Sequence, residues 1–169
     1  MLALGWAVGH DSTAFDNWFG RSTHQILGAQ PRWLLIFTSG WLVLAVMALS
    51  VGVALYRRQW ALAAAVVIVP VLATAAGQWL KHLFDRRSGP YLEYPSGHTA
   101  LLVSALGMLV VAAGFGIARR WALGLAVLLS LLGMLGLVAC GYHYLTDTVG
   151  AAMLATALVS AAARLTSAL

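Results

Sequence analysis

The sequence predicts an all-α, polytopic membrane helix bundle, with about five transmembrane spans and an N-terminal interfacial helix. Three observations carry this. The 169 residues are 62% hydrophobic and only 9% charged, against roughly 25% charged residues in a soluble domain. The apolar residues fall into runs of about 20, the length at which a helix crosses the hydrocarbon core. The remaining polar residues are gathered into a few clusters between those runs. The length suits one domain over residues 1–169, with an N-terminal segment, 1–32, and a transmembrane core, 33–169.

In chain order, Met1 to Gly9 has no Lys or Arg ahead of its apolar residues, so no cleaved signal peptide is expected. Residues 10–32 are polar. Within them Ser12-Thr13 can cap a short helix whose Phe15, Trp18 and Phe19 share one apolar face, as in a helix lying on a membrane. Spans are expected at Trp33 to Tyr56, Trp60 to Leu80 (with Pro70 as a kink), Thr99 to Ala118, Trp121 to Gly141 and Leu145 to Ala163. Trp33, Trp60, Trp79 and Trp121 stand at span ends, where an aromatic belt belongs. Gly133, Gly136 and the alanines of the last span permit close helix contact.

Alternating loops put all five carboxylates and all five histidines on one face, and Arg57, Arg58, Arg119, Arg120 and Arg164 on the other. The net charge of +5 comes from basic residues scattered as singles and pairs between apolar runs, so it orients the chain in a membrane and does not imply nucleic acid. With the basic residues of the candidate site set aside, the arginine-only face is cytoplasmic and the polar clusters lie outside. The single cysteine, Cys140, forms no internal disulfide.

Two clusters carry chemistry. His143 and Asp147 share one helical face, and a carboxylate beside one imidazole nitrogen fixes the tautomer and leaves the other free to attack. The same spacing suits a metal-ligand pair or a helix-end ion pair. Pro95-Ser96-Gly97-His98 opens a span, where unpaired N–H groups at Ser96 and Gly97 favour a phosphate and His98 falls in the first turn. A plain N-cap with a snorkelling histidine fits it too. Lys81, Arg86 and Arg87 precede it and either neutralise phosphoryl oxygens or touch lipid headgroups. Together the clusters point to cleavage of a phosphate ester.

These residues resemble the type-2 phosphatidic acid phosphatase family of integral-membrane lipid phosphatases. Its motifs are Lys-x6-Arg-Pro, Pro-Ser-Gly-His and Ser-Arg-x5-His-x3-Asp. The second matches in full at Pro95 to His98, the third at His143 and Asp147, and the first at Lys81. The resemblance spans roughly residues 60 to 163. It implies attack of His143 on phosphorus to form a phosphohistidine, orientation of His143 by Asp147, and protonation of the leaving oxygen by His98. Lys81, Ser96, the Gly97 amide and an arginine would bind the phosphoryl oxygens, with no metal and no cofactor. The chain departs from the motifs at Ser88 and Gly89, where Arg-Pro would fall, and at Gly136 and Leu137, where Ser-Arg would fall. Arg86 and Arg87 are expected to supply the missing charge, with Ser88-Gly89-Pro90 turning the loop; the alternatives are a site that binds its substrate less tightly, or Arg21 or Arg32 from the N-terminal segment. The family core usually has six spans, and here the first is replaced by the N-terminal helix.

The expected function is hydrolysis of a lipid phosphate or diphosphate, with polyprenyl phosphates or diphosphates and prenyl-linked sugar phosphates ahead of phosphatidate-type lipids. The expected location is a bacterial inner or plasma membrane with the site on the extracytoplasmic face, and the expected partners are the lipid phosphate and membrane lipids. A phosphoryl transferase with the same site and a non-catalytic membrane module are the alternatives. The spans argue against the soluble vanadate-dependent peroxidases, which share the site logic.

Overall fold

The computed structural model of the chain describes residues 1–28, 30–88 and 91–167. It is an all-α bundle: α1 Leu2–Val8, α2 Ala14–Leu27, a 3-10 segment Arg32–Thr38, α3 Gly40–Tyr56, α4 Trp60–Phe84, α5 Gly97–Ala112, α6 Ile117–Ala139 and α7 Leu145–Ser167. Among the described residues, four stretches are long and apolar enough to cross a membrane: Arg32–Tyr56, Trp60–Phe84, Ile117–Ala139 and Leu145–Ser167. By length and composition this is a membrane protein.

The remaining apolar helix, α5, differs from the expected third span. It has 16 residues and ends at Ala112, which at 1.5 Å per residue gives about 24 Å, short of a full crossing. Gly114 and Gly116 follow with φ of 74° and 88°. Those left-handed turns suit glycine and stop the helix. Arg119 and Arg120 consequently lie in the first turn of α6 and do not close the preceding span. Its shortness is matched by its position, because α5 packs against α3, α4, α6 and α7. Leu102, Ala105 and Leu106 meet Val43 and Val46 of α3, and Met108 and Ala112 meet Ala54, Val66 and Ala162.

Close approaches explain several small residues. A Cβ at Gly136 would stand 2.8 Å from Leu34 Cβ and 3.0 Å from the Leu34 carbonyl, because the 3-10 segment lies directly on α6 there. Helix α4 runs unbroken through Pro70, whose carbonyl accepts a hydrogen bond from Thr74 Oγ1 at 2.9 Å.

The N-terminal segment holds two helices where one was expected. In α2, Thr13 caps the helix: its hydroxyl accepts from the Asp16 amide and the Asp16 side chain accepts from the Thr13 amide. Phe15, Trp18 and Ile26 remain exposed. The additional helix, α1, is fixed by tertiary contacts. The buried Tyr94 hydroxyl donates to Met1 O at 2.8 Å, and the Tyr94 ring packs edge-on to Phe84. Burial, with the nearby Asp147 charge, pushes the Tyr94 hydroxyl up to about 12, so it stays a donor at all ordinary pH. Gly150 lies so close against the Tyr94 ring that no side chain fits there.

Candidate functional site

Helix α4 ends at Asp85, which adopts φ 43°, ψ 36°. The chain then leaves extended, and neighbouring side chains on an extended chain point opposite ways. Arg86 turns inward and is fully buried, while Arg87 turns outward. Arg87 pairs antiparallel with Leu92, and the Glu93 amide donates to Arg86 O at 2.8 Å, so the loop returns as a short ribbon. The turn expected at Ser88-Gly89-Pro90 falls largely outside the described residues.

Arg86 is the hub of this end of the bundle. Its Nη1 donates to Asp147 Oδ1 at 2.7 Å and to Thr146 Oγ1 at 2.6 Å. Its Nη2 donates to Asp16 Oδ2 at 2.8 Å, its Nε donates to Asp11 O at 3.1 Å, and the guanidinium lies 4.8 Å from the Tyr144 ring centroid. Asp16 also accepts from the Thr146 amide at 3.0 Å and the Thr146 hydroxyl at 2.9 Å. Burial raises the Asp16 carboxyl, but hydrogen bonds from Thr146, Thr13 and Arg86 outweigh it and hold the group below its ordinary value. Four of the five Arg86 N–H donors thus go to protein acceptors that join the N-terminal segment, the loop and α7, where a phosphate contact was expected.

The histidine pair differs from the expected geometry in one respect. His143 Nδ1 lies 3.9 Å from Asp147 Oδ2 but 2.7 Å from Glu93 Oε2. Asp147 Oδ2 instead accepts the Tyr144 amide at 2.9 Å. The carboxylate nearest His143 is therefore Glu93, which motif spacing alone does not single out. The Glu93–His143 contact is close but bent, an ion-pair approach and not an aligned hydrogen bond. Neither atom has another hydrogen-bond partner among the described residues, although both are buried. Buried polar atoms without an aligned partner are costly, and here each faces the other.

Ser96 is buried and caps α5 by accepting from the Thr99 amide at 3.4 Å; its own amide donates to Asp147 O at 3.2 Å. That bond joins the start of α5 to the start of α7. Gly97, half-buried, opens α5 and His98 stands exposed in its first turn. Lys81 Nζ donates to Leu92 O at 2.8 Å, within electrostatic reach of Glu93 and Asp147. His98 is within reach of His143 and Lys81. Lys81, Glu93, Ser96, His98, His143 and Asp147 thus lie at one end of the bundle. Arg87 stands apart: its side chain is 61% exposed and its Nε donates to Asp85 at 2.9 Å.

A cavity of about 220 Å³ opens beside His143, bounded by Glu93 and Tyr144 and, across it, by Asn17, Arg21 and His24 of α2. Arg21 is the one arginine on its wall. Its signal in the sequence is its place on the same helical face as Asn17 and His24. Donor atoms of Glu93, His143 and Asp147 lie within 4.8 Å of one another, a set that could hold a metal ion. The Arg86 guanidinium on Asp147 supplies positive charge to that set already.

The departure from the third motif falls at closely packed positions. Gly136 lies under Leu34, and Leu137 is buried at 3% exposure. An arginine at 137 would carry its charge into the packed interior of the bundle. No family model, curated protein or solved structure matches the chain.

Proposed function

We propose that the protein is an integral-membrane phosphatase that hydrolyses a lipid phosphate or diphosphate through a phosphohistidine on His143. The observation that carries this reading is His143 on the wall of a cavity, with its Nδ1 turned to the buried carboxylates of Glu93 and Asp147. A carboxylate at Nδ1 favours the proton there and leaves the Nε2 lone pair for phosphorus. In the first half-reaction the Nε2–P bond forms and the P–O bond to the lipid breaks, with His98 giving its proton to the leaving oxygen. In the second, water attacks phosphorus, the Nε2–P bond breaks, and His98 takes up the proton. Lys81, the Gly97 amide and Arg21 offset charge on the phosphoryl oxygens. The resemblance to the type-2 phosphatidic acid phosphatases at Lys81, Pro95 to His98, His143 and Asp147 supports the same chemistry.

The polyprenyl class of substrate is favoured because many small proteins of the resembled family serve cell-envelope lipid pathways. The five arginines at the opposite end of the spans support a bacterial inner or plasma membrane with the site outside. Purified protein given polyprenyl phosphate, polyprenyl diphosphate and phosphatidate is expected to release inorganic phosphate, and His143→Ala to release none. Release by His143→Ala within tenfold of wild type contradicts the reading.

A second reading, a divalent cation held by Glu93, His143 and Asp147, is favoured by the spacing of their donor atoms. Under the phosphohistidine reading, EDTA leaves turnover unchanged. Loss of turnover in EDTA, restored by one cation, supports the second reading.

A further inference from the structure

The arginines that orient the chain do not all stand alike. Arg57 follows α3, Arg119 lies in the first turn of α6 and Arg164 in the last turn of α7, yet all three line one cavity of about 300 Å³. Arg58 and Arg120, their sequence neighbours, do not line it. Gln59 and Thr166 add polar atoms, no carboxylate among the described residues borders it, and Phe115 is an exposed apolar wall. No ion pair among the described residues involves Arg57, Arg119 or Arg164.

One of the three guanidinium groups is tied down and a second lies over a ring. Arg57 Nη1 donates to Ala112 O at 2.9 Å and rests against Gly114, and Arg119 lies 5.7 Å from the Phe115 ring centroid. Helices α4 and α6 begin at this end without a side-chain cap, so their first N–H groups add positive potential. Orientation in a membrane asks only that cations lie on one side. It does not require three from separate helices to converge on one concavity.

We propose that Arg57, Arg119 and Arg164 form a binding site for a phosphate-type oxyanion at the end of the bundle opposite His143. Arginine presents paired N–H donors that fit phosphate oxygens. A phospholipid headgroup and a free phosphate share that chemistry. This site does not depend on the reaction proposed at His143.

The test uses the full chain purified in maltoside, titrated separately with phosphatidylglycerol and with inorganic phosphate and read by native mass spectrometry. The paired variant Arg119→Gln/Arg164→Gln is compared with Arg58→Gln/Arg120→Gln, which removes the same charge from outside the cavity. Arg57 is left intact because it also ties down the end of α5. Affinity is expected to fall about 25-fold in the first pair, at about fivefold per arginine, and less than twofold in the second. A selective loss with phosphatidylglycerol identifies a lipid headgroup; a selective loss with inorganic phosphate alone identifies a free anion. Equal losses in both pairs, or no binding of either probe to the wild type, overturn the proposal.

Discussion

Asp147 Oδ1 lies 2.7 Å from Arg86 Nη1, and neither side chain is exposed to solvent. With Asp16 on the other terminal nitrogen, one guanidinium ties together segments far apart in the chain. Breaking a buried ion pair by removing one partner costs about 3–5 kcal/mol, because the other charge is left uncompensated. Arg86→Ala is therefore expected to lower the melting temperature in detergent sharply. Arg86→Lys should recover little, since an ammonium cannot reproduce the fork of donors. An unchanged melting temperature with weakened substrate binding would show that Arg86 reaches the ligand.

Glu93 is expected to act as a positioning residue for His143. Glu93→Gln keeps the volume but removes the charge 2.7 Å from Nδ1. Turnover should fall on the order of 100-fold, with KM nearly unchanged. The acidic limb of the pH–rate profile should shift as well, a change that a purely structural role would not produce. Wild-type kcat in Glu93→Gln would return the orienting role to Asp147 alone.

Arg87 and Arg21 should separate cleanly. Arg87 forms an exposed pair with Asp85, and such pairs contribute about 0–1 kcal/mol. Arg87→Ala is expected to leave kcat/KM within about twofold. Arg21 borders the His143 cavity, and losing a charged contact to a desolvated phosphate costs about 2–4 kcal/mol. Arg21→Ala should lower kcat/KM by roughly 30- to 1000-fold. The reverse ranking would place the phosphate on the loop side of His143.

Asp16 predicts a pH dependence of stability. Its folded carboxyl is held below its ordinary value, net of the opposing effect of burial. A depressed carboxyl adds stability that is present above its unfolded pKa and is lost as pH falls through the folded one. The gap in melting temperature between wild type and Asp16→Asn should therefore be full near pH 6, begin to narrow as pH falls towards about 4, and close only below the folded pKa. A gap that stays constant from pH 6 to pH 3 would contradict this.

Much of the fold was legible because apolar runs must hide from water along their whole length. The spans beginning at Trp33, Trp60 and Leu145, and the Thr13 cap, are local patterns. The run after His98 was read too long because its composition stays apolar through Phe115, although Gly114 and Gly116 break the helix. Helix α1 was not legible at all, since seven residues are held there by Tyr94 and Phe84. In the candidate site, His143 and Asp147 stand out by their spacing and Lys81 by its match to the first motif, and the fold brings the three to one end of the bundle. The partner of Arg86 does not stand out, because Asp16 is 70 residues away and reads locally only as a capping residue. Glu93 carried a faint signal: a carboxylate in a chain with five, three residues before Ser96.

The proposed reaction turns on a covalent bond between phosphorus and His143, and trapping that bond tests it. Protein mixed with ³²P-labelled polyprenyl phosphate and quenched in alkaline denaturant within milliseconds should carry label that is stable to base and lost in acid. Peptide mapping should place that label on His143, and His143→Ala should carry none. Full turnover with label absent from His143, or label of equal amount in His143→Ala, would contradict the account.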